Sequence, residues 1–127
     1  MSDAHGFVQR WEDAWREPPT RFPALFHPEG TLFQAGMERP IGREAIGMRV
    51  TARLALIPDF RVRARRWAST DEDVFIEWTA SGTVAGAPAP SELHGASRFT
   101  LRAGLIAEEI AYFDTAVIAR AGTRGGA

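Results

Sequence analysis

The sequence predicts a single α+β domain of 127 residues, with N-terminal helices packed on one face of a curved, mainly antiparallel sheet. Two observations support this. Up to about residue 57, apolar residues recur at the four-residue steps of amphipathic helices. From residue 60 onward the period falls to two, which is typical of strands with one buried face. The core is expected to span about residues 3–118, and residues 119–127 are expected to form a frayed tail.

The first predicted helix carries three aromatic side chains in one stripe: Phe7, Trp11 and Trp15. Ser2 or Asp3 can cap its start, and Pro18-Pro19 ends it. Thr20 is expected to cap a short second helix that holds three apolar residues, Phe22, Leu25 and Phe26. The run HPEG at 27–30 closes that helix, and a short strand over residues 31–35 follows.

A third helix is predicted from about residue 42 to residue 56, after a loop at 36–40. Its apolar stripe consists of Ile46, Val50, Leu54 and Ile57. Pro58-Asp59 breaks the helix, and alternation then begins. Val62 alternates with Arg61 and Arg63, and the pair Arg65-Arg66 interrupts the pattern as a bulge would.

The remaining strands form a meander. In the strand over residues 74–81, one face holds Val74, Ile76, Trp78 and Ala80. A Gly/Ala/Pro loop at 82–91 leads into a terminal hairpin that ends near Asp114. Residues 102–104 suit a three-residue hairpin loop, with Gly104 in the left-handed conformation.

That hairpin puts Glu109 on the same face as Ser97 and Phe99, which is the inner face. A carboxylate facing an apolar interior is costly unless it is paired, protonated or used. A one-residue change in register would instead place Glu108 inside and Glu109 in solvent. The sequence leaves both registers open.

Composition excludes several classes of function. Formal net charge is −1, so neither a nucleic-acid nor a membrane partner is indicated. The chain has no cysteine, no long apolar run and no signal-peptide pattern, which favours the cytoplasm. The three histidines share no spacing suited to a metal, and no glycine-rich phosphate loop occurs. No metal and no cofactor are therefore expected.

The order of several short motifs is similar to that of a known family. These motifs are "LFHPEGTLFQAGMERPIGREAI", "IPDFRV", "DVFIEWTASGTVAG" and "RAGLIAEEIAYFD". On them the chain resembles the SnoaL-like branch of the nuclear-transport-factor-2-like superfamily, which includes polyketide cyclases, ketosteroid isomerases, limonene epoxide hydrolases and noncatalytic binders. The resemblance implies a cystatin-like cone with an apolar pocket, and a homodimer through the outer sheet face.

The family's catalytic positions are not kept. The resemblance places the ketosteroid isomerase base at Gln34 or a neighbouring residue, and that enzyme's oxyanion donors near Trp11 and Ser97. The Arg and Asp of limonene epoxide hydrolases fall on Trp78 and Ala80, and their second Asp falls on Ala111. The SnoaL cyclase Asp also falls on Ala111, with its His partner at Ser97. Asp114 matches a frequent family Asp, for which a structural role is favoured over a proton relay.

By strand parity, seven residues are expected to line a ligand pocket: Trp11, Trp15, Gln34, Trp78, Ser97, Phe99 and Phe113. Flat apolar walls of this kind suit a planar or polycyclic ligand. Glu109 is the candidate acid-base residue, with Asp114 as a second candidate. Outside the pocket, Phe75, Ile106, Ile110 and Tyr112 share an outer face too apolar for open water, which predicts the homodimer.

Two interpretations from different classes remain. The first is a metal-free enzyme of cyclase or isomerase type, acting on a hydrophobic, carbonyl-containing substrate such as a polyketide or steroid. The second is a noncatalytic, homodimeric ligand-binding protein that has lost the family's catalytic residues. Glu109 and Gln34 favour the first interpretation, and the lost catalytic positions favour the second.

Overall fold

The sheet organises the molecule, and a computed structural model describes residues 4–16 and 21–116 of the chain. Helix α1 spans Ala4–Ala14 and α2 spans Arg43–Leu56, with a 3₁₀ turn at Pro23–Leu25. The strands are β1 Phe26–Gln34, β2 Ile41–Gly42, β3 Arg61–Ser69, β4 Asp73–Gly82, β5 Ser91–Arg102 and β6 Leu105–Phe113.

The six strands form one sheet in the order β2-β1-β6-β5-β4-β3. Strands β3 to β6 are a continuous antiparallel meander, while β1 runs parallel to β6 and antiparallel to the two-residue β2. The predicted α+β class with a mainly antiparallel sheet is confirmed. No helix in the described part of the chain is both long enough and apolar enough to cross a membrane.

Both helices cover the same face of the sheet. The predicted inward side chains of β4, including Val74 and Ile76, are buried in one core with Phe7 of α1 and Ile46 of α2. Phe7 and Trp11 both stand edge-on to Phe99 of β5, with ring centroids 5.1 Å and 5.8 Å away. The alternation in the second half of the chain therefore predicts the buried face correctly.

The edge of the sheet also ties α1 in place. The pairing of β3 with β4 shifts between Ala64 and Arg66, which confirms the predicted bulge. The N–H of Ala64 donates to the Glu12 carboxylate of α1 at 2.7 Å. At the other end of the molecule, the backbone N–H of Ile57 bonds to the Arg53 carbonyl, and α2 stops before Pro58.

The predicted short second helix is mostly wrong. Only Pro23–Leu25 forms a helical turn, and Phe26 already begins β1. Residues 27–30 do not close a helix but form an irregular part of β1, between the pairs Phe26–Ile106 and Thr31–Glu108. Gly30 permits this path, because a Cβ there would lie 2.4 Å from the Ile106 carbonyl oxygen.

Several predicted features lie outside the described residues: the helix caps Ser2, Asp3 and Thr20, the helix end at residues 18–19, and the tail.

The hairpin between β5 and β6 differs from the prediction in two ways that cancel. Arg102 pairs with Leu105, so the loop has two residues, Ala103 and Gly104, with φ of 54° and 81°. Positive φ at both positions matches the tight turn that suits the twist of paired strands. The pairing then shifts by one residue, because Leu101 faces Ile106 while Thr100 faces Glu108.

Ala107 is the extra residue of this bulge, and it decides which glutamate enters the core. Without the bulge, Glu108 would face Phe99; with it, Glu109 faces Phe99 and is only 5% exposed. The two-residue loop and the one-residue bulge together insert three residues, as the predicted three-residue loop does, so Glu109 lies on the same face of the sheet in both cases. The bulge also corrects one expectation: Ile106 is fully buried in the core, not on the outer face.

Gly95 of β5 yields a prediction about the core. It pairs with Trp78 of β4, and a Cβ added at Gly95 would lie 2.4 Å from the Trp78 indole. We therefore expect Gly95→Ala to displace the indole and lower the free energy of unfolding by about 1–3 kcal/mol, the usual cost of overpacking. Urea denaturation monitored by fluorescence measures this change.

Gly42→Ser is the control, since a side chain there meets nothing within 4 Å, and serine is accepted at the N-cap position that Gly42 occupies before α2. A loss in Gly95→Ala as small as the ordinary surface value, below about 0.5 kcal/mol, would contradict the close packing of Trp78 on β5.

Candidate active site

A small enclosed cavity of about 60 Å³ lies between the sheet and the two helices. Six of the predicted pocket residues line it: Trp11, Trp15, Gln34, Trp78, Ser97 and Phe113. Glu109 also lines it, and five further residues that border it, beside Ala111, are Arg53, Phe60, Val62, Ala80 and Leu93. The cavity thus has aromatic walls and a few polar groups, which is the usual character of a ligand site.

Glu109 is the polar centre of this cavity. Its side chain is buried, and burial raises the pKa of its carboxyl from the usual 4.5 to about 8. A hydrogen bond with the Ser97 side chain lowers this pKa, but by less than burial raises it. The carboxyl is therefore mostly protonated at neutral pH. It remains close enough to its pKa to exchange a proton with a ligand.

Three buried polar atoms around the cavity have no hydrogen-bond partner within the described part of the chain. They are Nε1 of Trp11, Nε1 of Trp15 and Oε1 of Glu109. Unpartnered buried polar groups cost about 1–3 kcal/mol each, so such a cluster is unusual in a core that serves only stability. Two N–H donors and a carboxyl oxygen that border one cavity are groups that a polar ligand could pair with.

Ser97 connects two of the walls. The Trp78 indole donates its Nε1–H to the Ser97 hydroxyl oxygen at 2.9 Å, a buried hydrogen bond between neighbouring strands. The Ser97 hydroxyl proton is then available for the bond to Glu109. The chain Trp78–Ser97–Glu109 therefore holds the carboxyl by one oxygen, while Oε1 has no hydrogen-bond partner among the described residues.

Arg53 is a site residue that the sequence analysis missed. It lies in the last turn of α2, borders the Glu109 cavity, and places its guanidinium carbon 5.5 Å from the centre of the Phe60 ring. Burial, together with the nearby charge of Arg49, lowers the pKa of Arg53. The helical spacing could have indicated this position, because Arg53 lies on the same helix face as the apolar residues Ile46, Val50 and Ile57.

Two predicted site residues lie elsewhere. Phe99 is fully buried behind the cavity wall, where it packs against Phe7 and Trp11. Asp114 is exposed and accepts a hydrogen bond from the backbone N–H of Ala116 at 2.9 Å, which is a local turn contact. Asp114 does not border the Glu109 cavity. Within residues 4–16 and 21–116, no three His, Asp or Glu side chains are grouped to bind a metal.

An open cleft of about 620 Å³ adjoins the cavity. Three residues border both spaces, namely Gln34 of β1, Arg53 of α2 and Phe113 of β6. The cleft is further bordered by the loop after β1, including Met37, and by Arg49. The site thus consists of a narrow inner cavity around Glu109 and a wider outer cleft beside α2.

The fold and this site define a class of protein: a cone-shaped α+β domain with a buried carboxyl facing an aromatic cavity. The family model of the SnoaL-like domain matches residues 7–109, and the chain belongs to this family. Among proteins of curated function, no significant match is found.

Several solved structures share this fold. A protein of ketosteroid isomerase-like fold from Catenulispora acidiphila, in complex with trimethylamine, is 25% identical with a TM-score of 0.83, over 95% of both chains. The BvnE pinacolase of Penicillium brevicompactum is 12% identical with a TM-score of 0.83, over 99% of this chain and 95% of its own. An epoxide hydrolase of M. tuberculosis, similar to limonene epoxide hydrolase, is 18% identical with a TM-score of 0.76, over 96% and 90%.

The raised pKa of Glu109 predicts how stability depends on pH. The unfolded carboxyl ionises above its usual pKa near 4.5, whereas the folded one keeps its proton to about pH 8. The folded state thus binds more protons in this window, so its stability falls as pH rises, by up to about 1.4 kcal/mol per unit. Glu109→Gln should remove this fall.

Urea denaturation at several pH values between 5 and 8 measures the effect as the difference between wild type and Glu109→Gln. Glu108→Gln, at the exposed neighbour, is the control and should keep the wild-type slope across the window. Parallel curves for wild type and Glu109→Gln would show that the Glu109 carboxyl titrates normally.

Proposed function

We propose that this protein is an acid-base catalyst of cyclase or isomerase type, acting on a hydrophobic small molecule that contains a carbonyl group. One observation carries the proposal: Glu109, Trp11 and Trp15 line one cavity, and each has a buried polar side-chain atom without a hydrogen-bond partner among the described residues. A carbonyl compound with an acidic C–H next to the carbonyl would pair with all three groups. Its oxygen would accept hydrogen bonds from the two indole N–H groups, and its C–H would give a proton to the ionised Glu109.

The reaction begins from the ionised form of Glu109. With a pKa of about 8, roughly one molecule in ten carries the carboxylate at pH 7. The carboxylate takes a proton from the carbon next to the carbonyl, and the electron pair of that C–H bond moves to the carbonyl oxygen. The N–H groups of Trp11 and Trp15 stabilise the resulting enolate in a buried site. In an isomerase, Glu109 then returns the proton to another position of the molecule. In a cyclase, the enolate carbon instead bonds to the carbon of a second carbonyl, the π electrons of that carbonyl move to its oxygen, and Glu109 gives its proton to this oxygen.

The size of the inner cavity limits what can enter it. About 60 Å³ is far below the roughly 300–1,000 Å³ of pockets that enclose drug-sized ligands. A polycyclic ligand of the kind expected from the sequence does not fit there as a whole. Only the reacting end of the substrate lies beside Glu109, while the remainder occupies the outer cleft of about 620 Å³.

A noncatalytic binding role is the second candidate, and the small enclosed volume favours it. The Catenulispora relative is in complex with trimethylamine, a ligand of few atoms. Aromatic walls and an acidic residue suit a small ammonium ion. The Arg53 guanidinium at the same cavity opposes a cation, however, and a mostly protonated Glu109 supplies little negative charge. These two facts favour a neutral, carbonyl-containing ligand.

Proton exchange tests the catalytic proposal without knowledge of the natural substrate. The probe is methyl 4-acetylbenzoate, an aryl ketone whose exchangeable acetyl protons lie at the end opposite the ester, incubated in D₂O and followed by ¹H NMR. Wild type should accelerate the exchange, and Glu109→Gln should lower the catalysed rate about a hundredfold or more, as expected for loss of the proton-transferring group. Glu108→Gln should retain the wild-type rate.

Binding of the ester with no exchange above the buffer rate, in wild type and variants alike, would contradict catalysis and support the binding role. Retention of the wild-type exchange rate in Glu109→Gln would remove Glu109 as the acting group.

We also propose that the protein forms a homodimer through the outer face of the sheet. Phe75 and Tyr112 are 42% and 61% exposed on this face, and Ile110 is half-buried between them and the rest of the sheet. Arg98 sits in the same row as Phe75 and Ile110 and pairs with Glu108 at 2.8 Å. An exposed apolar patch with a paired charge beside it is typical of a protein interface.

Light scattering on a sizing column tests the dimer. Wild type should have twice the 14.0 kDa chain mass, and Phe75→Glu should shift the protein toward the monomer, because it places a charge in an apolar contact. Met48→Glu, at a residue of α2 that is 67% exposed, is the control and should remain dimeric. A monomeric wild type would contradict this interface.

A further inference from the structure

Arg53 is a charged group that the proposed reaction does not use. It borders the Glu109 cavity, a second small cavity beside it, and the outer cleft, so it stands where the inner and outer spaces meet. Its guanidinium lies over the Phe60 ring, which leaves the hydrogen-bonding edge of the group free for another partner.

No acidic side chain neutralises Arg53 in the described part of the chain. The ion pairs found in that part of the chain join residues other than Arg53. Glu38 borders the outer cleft, but it is exposed and pairs with neither Arg49 nor Arg53. Arg49 lies one helical turn before Arg53 and borders the same cleft, together with Arg39. The cleft is therefore lined by three arginines and one glutamate.

Such an arrangement is costly in the empty protein. Two arginines a turn apart repel each other, and the proximity of Arg49 together with burial lowers the pKa of Arg53. An anion in the cleft would relieve both costs. The guanidinium fork matches a carboxylate with two parallel hydrogen bonds, and this pairing is strongest where the site is partly buried.

We propose that the ligand of this protein carries a carboxylate, which Arg53 and Arg49 bind in the outer cleft while the carbonyl end reaches into the inner cavity. The ligand class is then an aromatic or alicyclic keto acid. The inference rests on the proposed function only in placing the reacting carbonyl at Glu109. The arginines determine which molecules are accepted and in which direction they enter.

A pair of probes that differ in one charge tests this. 4-Acetylbenzoate carries the carboxylate, and its methyl ester carries the same ketone and ring without the charge. Quenching of tryptophan fluorescence measures their affinities at fixed ionic strength. Wild type should bind the acid about ten- to a hundredfold more tightly than the ester, the range for charge-assisted hydrogen bonds.

Arg53→Gln should remove most of this preference, and an unchanged far-UV circular dichroism spectrum shows that the variant is folded. Arg49→Gln should reduce the preference to a smaller extent, because Arg49 is more exposed. Arg63→Gln is the matched control, since Arg63 is an exposed residue of β3 and its loss changes the net charge equally. It should preserve the wild-type preference.

The two proposals fail separately in this design. Equal affinities of wild type for acid and ester, no binding of the acid, or a preference unchanged in Arg53→Gln would overturn the carboxylate site. Proton exchange on the ester would still support catalysis by Glu109 in each case. Conversely, a preference that depends on Arg53, without any exchange, would uphold the carboxylate site and contradict the proposed reaction.

Discussion

The burial of one carboxyl group is the constraint on which the site depends. Glu109 lies on the inner face of β6, where desolvation raises the pKa of its side chain to about 8. Around it, Ser97 supplies a hydrogen bond, and two tryptophans contribute N–H donors without a partner in the described part of the chain. A core built only for stability would place an apolar residue at this position. The cost of these unpaired groups to folding is the reason for proposing a ligand that pairs with them.

The position of this carboxyl depends on the backbone of the terminal hairpin. A two-residue turn at Ala103-Gly104 and a bulge at Ala107 act together to point Glu109 inward and leave Glu108 to pair with Arg98 outside. The same bulge lies opposite the irregular stretch of β1 around Gly30. Both neighbouring strands of β6 are thus shaped around the segment that carries the site, a common association of bulges with functional positions.

Much of the architecture follows from periodicity, because alternation over whole strands averages out local errors. It correctly predicted the buried face of β4. It left Glu108 and Glu109 as alternatives for the inner face, and the bulge at Ala107, which the pattern does not reveal, decides for Glu109. Alternation failed for Ile106, because the face on which this side chain lies depends on the position of the bulge at Ala107. The turn signals at residues 26–30 also misled, because pairing of this segment with β6 overrides them. Arg53 was overlooked because a charged residue of a helix is ordinarily expected to be exposed to solvent, even where the helical spacing places it on the buried face. The volume of the cavity depends on how three indole rings pack, which no sequence pattern reports.

Direct titration of the Glu109 carboxyl tests the account most closely. Protein labelled with ¹³C at glutamate side-chain carboxyls can be followed by NMR from pH 4 to 10, and the resonance absent from Glu109→Gln assigned to Glu109. The account predicts that the Glu109 carboxyl titrates near pH 8. A Glu109 resonance that titrates near its usual pKa of 4.5 would contradict it, since the group would then be an ordinary carboxylate at neutral pH.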